Sequence, residues 1–120
     1  MSNFQYAARI TLIATVIVLM ITSAIVLADS IIRGQVLHNG RPAANAKLSI
    51  FCDNGNIDPV FTNNYGAFQT SIPTAKNNCK LEVEWNNRVS DPVPIDNKSS
   101  QVVLSINLRS WNNKWFLEIR

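Results

Sequence analysis

The chain has 120 residues, with eleven Lys and Arg against eight Asp and Glu, a formal charge of +3. That balance is too even to argue for a nucleic-acid binder or a polybasic lipid-binding surface, both of which need concentrated positive charge. After residues 1–28, which hold one Arg, ten cations face eight anions over about ninety residues, enough for one small domain and not two.

Residues 1–9 carry a single cation, Arg9, and are expected on the cytoplasmic side. Ile10 to Ala28 then runs without a charge, a Gly or a Pro. A helix rises ~1.5 Å per residue and the hydrocarbon core is ~30 Å thick, so a span needs ~20 apolar residues. This run is about that long, which predicts one transmembrane helix over residues 10–28 and contact with the bilayer through it. The competing reading is a signal peptide, because Val26 and Ala28 stand where cleavage before Asp29 needs small residues. The length of the run and its thin basic region favour the anchor. Arg9 and the α-amine on one side, with Asp29 opening the other, orient the N-terminus inward and export residues 29–120 to the periplasm or cell exterior. Within the span, Thr11 and Thr15 follow Ala7 at intervals of four. The small residues of such a seam let a neighbouring helix approach, whereas hydroxyls that bond their own helix carbonyls would have no outside role.

Beyond Asp29 the chain reads as short strands between Asn, Asp, Gly and Pro clusters. IIRGQVLHNG is a strand ending at Asn39-Gly40, the strongest short hairpin signal. In the return, Ala46, Leu48, Ile50 and Cys52 alternate with Lys47, Ser49 and Phe51. Asp53 to Asn56 is a turn. IDPVFT leads to a second turn, Asn63-Asn64-Tyr65-Gly66, after which Phe68, Thr70 and Ile72 share a face. In CKLEVEW, Cys79, Leu81, Val83 and Trp85 point one way and Lys80, Glu82 and Glu84 the other. RVSDPVPI carries Pro92 and Pro94, which lack ladder donors, so it is an edge strand or none. QVVLSINLR places Val102, Leu104, Ile106 and Leu108 inward. WNNKWFLEIR turns at Asn112-Asn113 and ends in a strand through Trp115, Leu117 and Ile119. Seven or eight strands at turn spacings of roughly 8–12 residues predict an all-β fold, a small β-sandwich.

The same register points Cys52 and Cys79 into the core. Two cysteines in an exported chain favour a disulfide, stabilising by roughly 3–4 kcal/mol on the chain-entropy argument. A metal or redox role is poorly supported, since no CxxC exists and no His neighbours either Cys.

The stretches RGQVLHNGRPAANAKLSIF and FTNNYGAFQTSIP resemble the carboxypeptidase-regulatory-like and transthyretin-like β-sandwich domains. The matching residues are Gly34, Val36, Gly40, Pro42, Ala46, Thr62, Gly66 and Phe68. The placement of Cys52 and Cys79 is also similar to that of pollen Ole-e-1-like domains. The resemblance covers about residues 32–85. It implies a transthyretin-like or Ig-like sandwich of the kind used in stalks, spacers and adhesion modules, and says little about ligands. The Asp usual in the turn before Gly66 is absent here, which removes support for an inherited cation site.

No constellation for catalysis stands out. His38 is the sole histidine and reads as a solvated hairpin residue. Asp53, Asn56 and Asp58 are rich in oxygen but lack EF-hand spacing, so they read as turn chemistry. Glu82 and Glu84 alternate with Lys80 on a solvated face. Asn97-Lys98-Ser99 fits a glycosylation sequon, which matters only in a eukaryotic host. No nucleophile–base pair and no phosphate loop is visible, so the expectation is a non-enzyme without cofactor or metal. The aromatic C-terminus is the exception. Trp111, Trp115 and Phe116 exceed what a small sandwich needs, and exposed aromatics mark contact surfaces. Together with Thr11 and Thr15 they are the interface candidates. The expected function is a membrane-anchored interaction subunit, in contact with other membrane-protein subunits of a respiratory, photosynthetic, secretion or conjugation assembly. The rival is a secreted carbohydrate-binding or adhesion module, released by cleavage at Ala28, that stacks sugars on Trp111 and Trp115.

Overall fold

A computed structural model describes residues 29–120. The expected span over residues 10–28, with Thr11 and Thr15, lies outside the described residues. Those that are described form strands and turns only, in two sheets.

The first sheet is built around β1 (Asp29–His38). Its Ile32 and Val36 alternate with exposed Ile31, Arg33 and Gln35, the period-2 pattern of a half-buried strand. β1 turns through Asn39-Gly40 into the short β2 (Arg41–Pro42). Both turn residues have positive φ, 52° and 75°, as a two-residue hairpin of the right twist requires. The second sheet opens with β3 (Lys47–Cys52) and β4 (Gly55–Phe61). Pro59 in β4 has no ladder donor, the β3–β4 register shifts between Leu48 and Ile50, and β4 is an edge strand. β5 (Ala67–Pro73) returns to the first sheet, antiparallel to β1.

β6 (Lys80–Trp85) pairs with β3, and the two-residue strands β7 (Arg88–Val89) and β8 (Val93–Pro94) lie along its other side. The proline-rich stretch is thus an edge in two fragments. β9 (Gln101–Trp111) crosses back to run parallel to β1, and β10 (Lys114–Ile119) folds antiparallel onto β9. The orders are β10-β9-β1-β5, with β2 extending the β5 side, and β4-β3-β6 with β7 and β8 outermost. Seven strands have six residues or more, in line with the seven or eight expected from the sequence.

Ile32, Val36, Phe68, Ile72, Ile106 and Leu108 of one sheet face Leu48, Ile50, Leu81 and Val83 of the other, all buried. Cys52 and Cys79 are bonded, with Cα atoms 4.1 Å apart. They continue the β3–β6 ladder by one pair beyond Phe51 and Lys80, so the bond crosses strands within one sheet. Cys79 is buried and Cys52 half-buried.

Two glycines are fixed by close approach. A Cβ on Gly34 would lie 1.9 Å from the Leu104 carbonyl oxygen, because β1 and β9 press together there. Gly66 has φ 73°, and a Cβ on it would meet the Val36 carbonyl oxygen at 2.4 Å. Its own carbonyl accepts from the Val36 N–H at 2.8 Å, which docks the β4–β5 turn on β1.

Candidate functional site

Because β1 and β9 are parallel, the sandwich has an Asp29 end and a hairpin end. Three two-residue turns sit at the hairpin end: Asn39-Gly40, Asn86-Asn87 and Asn112-Asn113. All six residues have positive φ. That conformation costs Asn less than other non-glycine residues, which explains its use at each turn. These turns hold the ends of β1, β6 and β9 at one pole.

Under that pole lies an aromatic cluster. The Trp85 and Trp115 ring centroids are 5.6 Å apart, and His38 lies 5.4 Å and 5.0 Å from them. The Trp115 indole N–H donates to the Trp85 carbonyl at 2.7 Å, and that of Trp85 donates to the Ala44 carbonyl at 3.0 Å. The Arg88 guanidinium stands 5.4 Å from the centre of the Trp115 ring and donates to the Ser110 hydroxyl. Two sequence expectations change here. His38 is half-buried and packed between tryptophans rather than solvated. Trp115, expected as a contact residue, is 5% exposed and belongs to the core. The partners of His38 arrive from β6 and β10, which alternation along β1 does not disclose, whereas Trp115 shares the inward parity of Leu117 in β10.

Trp111 and Phe116 are different. They are 70% and 59% exposed, on the outer face of the β9–β10 hairpin. Both line a shallow groove with Arg109 and Ser110. Arg109 and Ser110 also border a polar groove with His38, Asn39, Asn107, Glu118 and Arg120. On the opposite flank, Trp111 and Phe116 line a third groove with Val93, Trp115, Leu117, Asp91 and Lys114. The hairpin therefore stands as an aromatic ridge between a polar furrow and an apolar slot. Its charges form surface pairs: Arg109 with Glu118 at 2.6 Å and Lys114 with Asp91 at 3.2 Å.

The open edge of β10 is a feature the sequence expectations missed. Among the described residues its neighbours are β9 and a single bridge from Ser90 to Trp115. Lys114 to Ile119 holds no Pro, and its guarding charges are Lys114 and Glu118.

The other candidate chemistry dissolves into structure. Asp53 accepts from the Asn78 amide in a turn, while Asn56 and Asp58 belong to β4. Among the described residues no group of three or more His, Cys, Asp or Glu is placed to hold a metal. Asn97 of the sequon is buried, and its amide donates to the Pro73 and Lys76 carbonyls at 3.3 and 2.9 Å. Compared with known proteins, the chain matches no family model, and no curated protein is significantly similar to it.

Proposed function

We propose that this protein is a membrane-anchored, non-enzymatic contact subunit. The run over residues 10–28 holds it in the bilayer, with a cytoplasmic N-terminus. The exported sandwich makes protein–protein contacts within a larger membrane assembly. The observation that carries this reading is the aromatic ridge. Trp111 and Phe116 stand out on a hairpin whose turn, ladder and core are complete without them. A buried aromatic anchor contributes ~2 kcal/mol or more at an interface, whereas on a free surface such a ring gains nothing. The tether supports it as well. β1 begins at Asp29, directly after the apolar run, so no linker lets the domain roam.

The same reading places the sandwich with the carboxypeptidase-regulatory-like and transthyretin-like domains. In support, three of the matching residues have distinct structural roles. Thr62 is a corner hub, Gly66 docks a turn on β1, and Phe68 plugs the core. The rival, sugar stacking on Trp111 and Trp115, is weakened because Trp115 is buried.

The test is intact mass combined with gentle-detergent purification from native membranes. Retention of residues 1–28 with stoichiometric partners, lost in Trp111→Ala, is the expected result. A mature N-terminus at Asp29 in the soluble fraction, without partners, overturns the proposal.

A further inference from the structure

We infer that the partner contributes an extended, acidic segment that adds as a strand to the free edge of β10. This rests on the contact-subunit reading and names the chemistry of what is contacted. Arg120 and Ser105 exchange both backbone bonds, at 2.9 and 3.1 Å. In an antiparallel ladder such pairs alternate, so Lys114, Phe116 and Glu118 also bond to β9. The N–H and C=O groups of Trp115, Leu117 and Ile119 then point the other way. Ser90 bridges Trp115; among the described residues, no strand lies beside Leu117 and Ile119. A strand addition takes such groups as its main-chain partners and reads side chains on alternate faces.

The two faces beside this edge differ. Inward, the apolar slot lined by Val93, Trp115 and Leu117 accepts an apolar side chain. Outward stand Lys114, Phe116, Glu118 and Arg120. Lys114, Arg109 and Arg120 have side chains 61%, 69% and 77% exposed. Glu118 is 32% exposed, 2.6 Å from Arg109 and 3.8 Å from Arg120, so its charge is largely neutralised. Lys114 in turn meets Asp91 at 3.2 Å, so three cations stand against two carboxylates along this edge, and the one surplus positive charge complements an Asp or Glu on the incoming segment. A second copy of β10 suits it poorly, since an antiparallel pair centred on Glu118 would oppose two carboxylates, and centred on Leu117 it would collide with Ser90. The remaining edges are blunted or lack the aromatics. β4 has Pro59 and a register shift, β7 and β8 are two residues long, and β5 presents Gln69 and Ser71.

The experiment uses the full chain in its native membranes. A photo-reactive benzoylphenylalanine replaces Phe116, and the cross-linked peptide is sequenced by mass spectrometry. The expected product is one segment of another protein with Asp or Glu beside an apolar residue. Ile119→Pro removes an outward N–H and leaves the β9 ladder whole, so cross-linking should fall at least tenfold. Lys114→Glu, at an exposed position that leaves the core untouched, should lower it by a similar factor. Undiminished cross-linking in both variants overturns strand addition. So does a cross-link to a second copy, to lipid, to glycan or to a segment without acidic residues. Such results leave the contact-subunit reading standing. A chain that neither cross-links to protein nor co-purifies with any subunit overturns both.

Discussion

The two ends of the sandwich are held by different means. At the Asp29 end the β5–β6 and β8–β9 connections are long and irregular, and side chains satisfy their backbones. Asn97 donates to Pro73 and Lys76, Asn54 donates to Ala75, and the Lys98 ammonium donates to the Lys76 carbonyl at 2.8 Å. The Asp53 N–H bonds the Asn77 carbonyl at 2.9 Å, next to the Cys52–Cys79 bond. At the hairpin end three two-residue turns close their own ladders, and aromatic rings fill the space beneath. Polar side chains at the first end are committed to the fold. At the second, the three two-residue turns need no such help, and the Trp111 and Phe116 rings are left exposed. The proposed contact function has its surplus side chains at the hairpin end.

Removing the disulfide should do the most damage to this arrangement. The paired substitution Cys52→Ala/Cys79→Ala releases a loop with a sequence separation of 27. On the chain-entropy argument this costs about 3–4 kcal/mol, or a fall of roughly 15 °C or more in melting midpoint for a domain this size. Calorimetry on the purified protein measures it, and a fall under a few degrees would show that the Asp29 end is held by its hydrogen bonds alone.

The hairpin end has its own buried polar hub. The Thr62 hydroxyl donates to the Ala43 carbonyl at 2.6 Å and accepts from the Ala46 N–H at 2.8 Å, with the side chain buried. Thr62→Val keeps the shape and orphans both backbone groups, for an expected loss of about 2 kcal/mol in urea denaturation. A neutral result would mean that water replaces the hydroxyl, and the corner is then looser than its geometry.

A smaller effect distinguishes the ends by pH. At the Asp29 end the Ser99 hydroxyl, then the Lys98 N–H, bond the Asp96 carboxylate and hold its pKa below the usual value. A carboxylate whose folded pKa is depressed stabilises above its unfolded value, and that stabilisation is lost as pH falls through the folded one. Stability should therefore decline on acidification below the ordinary carboxylate range, and Asp96→Asn should flatten part of that decline. The hairpin-end variant Thr62→Val should leave the acid limb unchanged.

Much of this architecture was legible in the sequence because alternation survives wherever one face is buried. CKLEVEW and QVVLSINLR predicted their inward residues correctly, and the cysteine register predicted the bond. What alternation does not carry is the relation between strands distant in sequence. His38 looked solvated because its neighbours, Asn39 and Gly40, form a turn; its partners Trp85 and Trp115 arrive from β6 and β10. Trp115 looked like surface because aromatics crowd the C-terminus, yet its parity with Leu117 already marked it as core. The β10 edge went unread because an edge is a property of sheet order, and parallel pairing of β1 with β9 has no local signature.

The contrast between the ends is sharpest at Trp111. If the hairpin end has surplus, removing this ring should cost the fold almost nothing. Trp111 is 70% exposed, has no aromatic stacking partner among the described residues, and pairs across the ladder with exposed Lys114. Its backbone bonds do not depend on its side chain, and Ser is tolerated at an exposed strand position. Trp111→Ser should therefore shift stability by no more than about 0.5 kcal/mol, the range of ordinary surface substitutions. The same change should abolish co-purification of the partner, because an exposed ring that becomes buried at an interface carries a disproportionate share of the affinity. A stability loss of about 2 kcal/mol or more would instead make Trp111 part of the fold, and the surplus that argues for a contact surface would shrink to Phe116 alone.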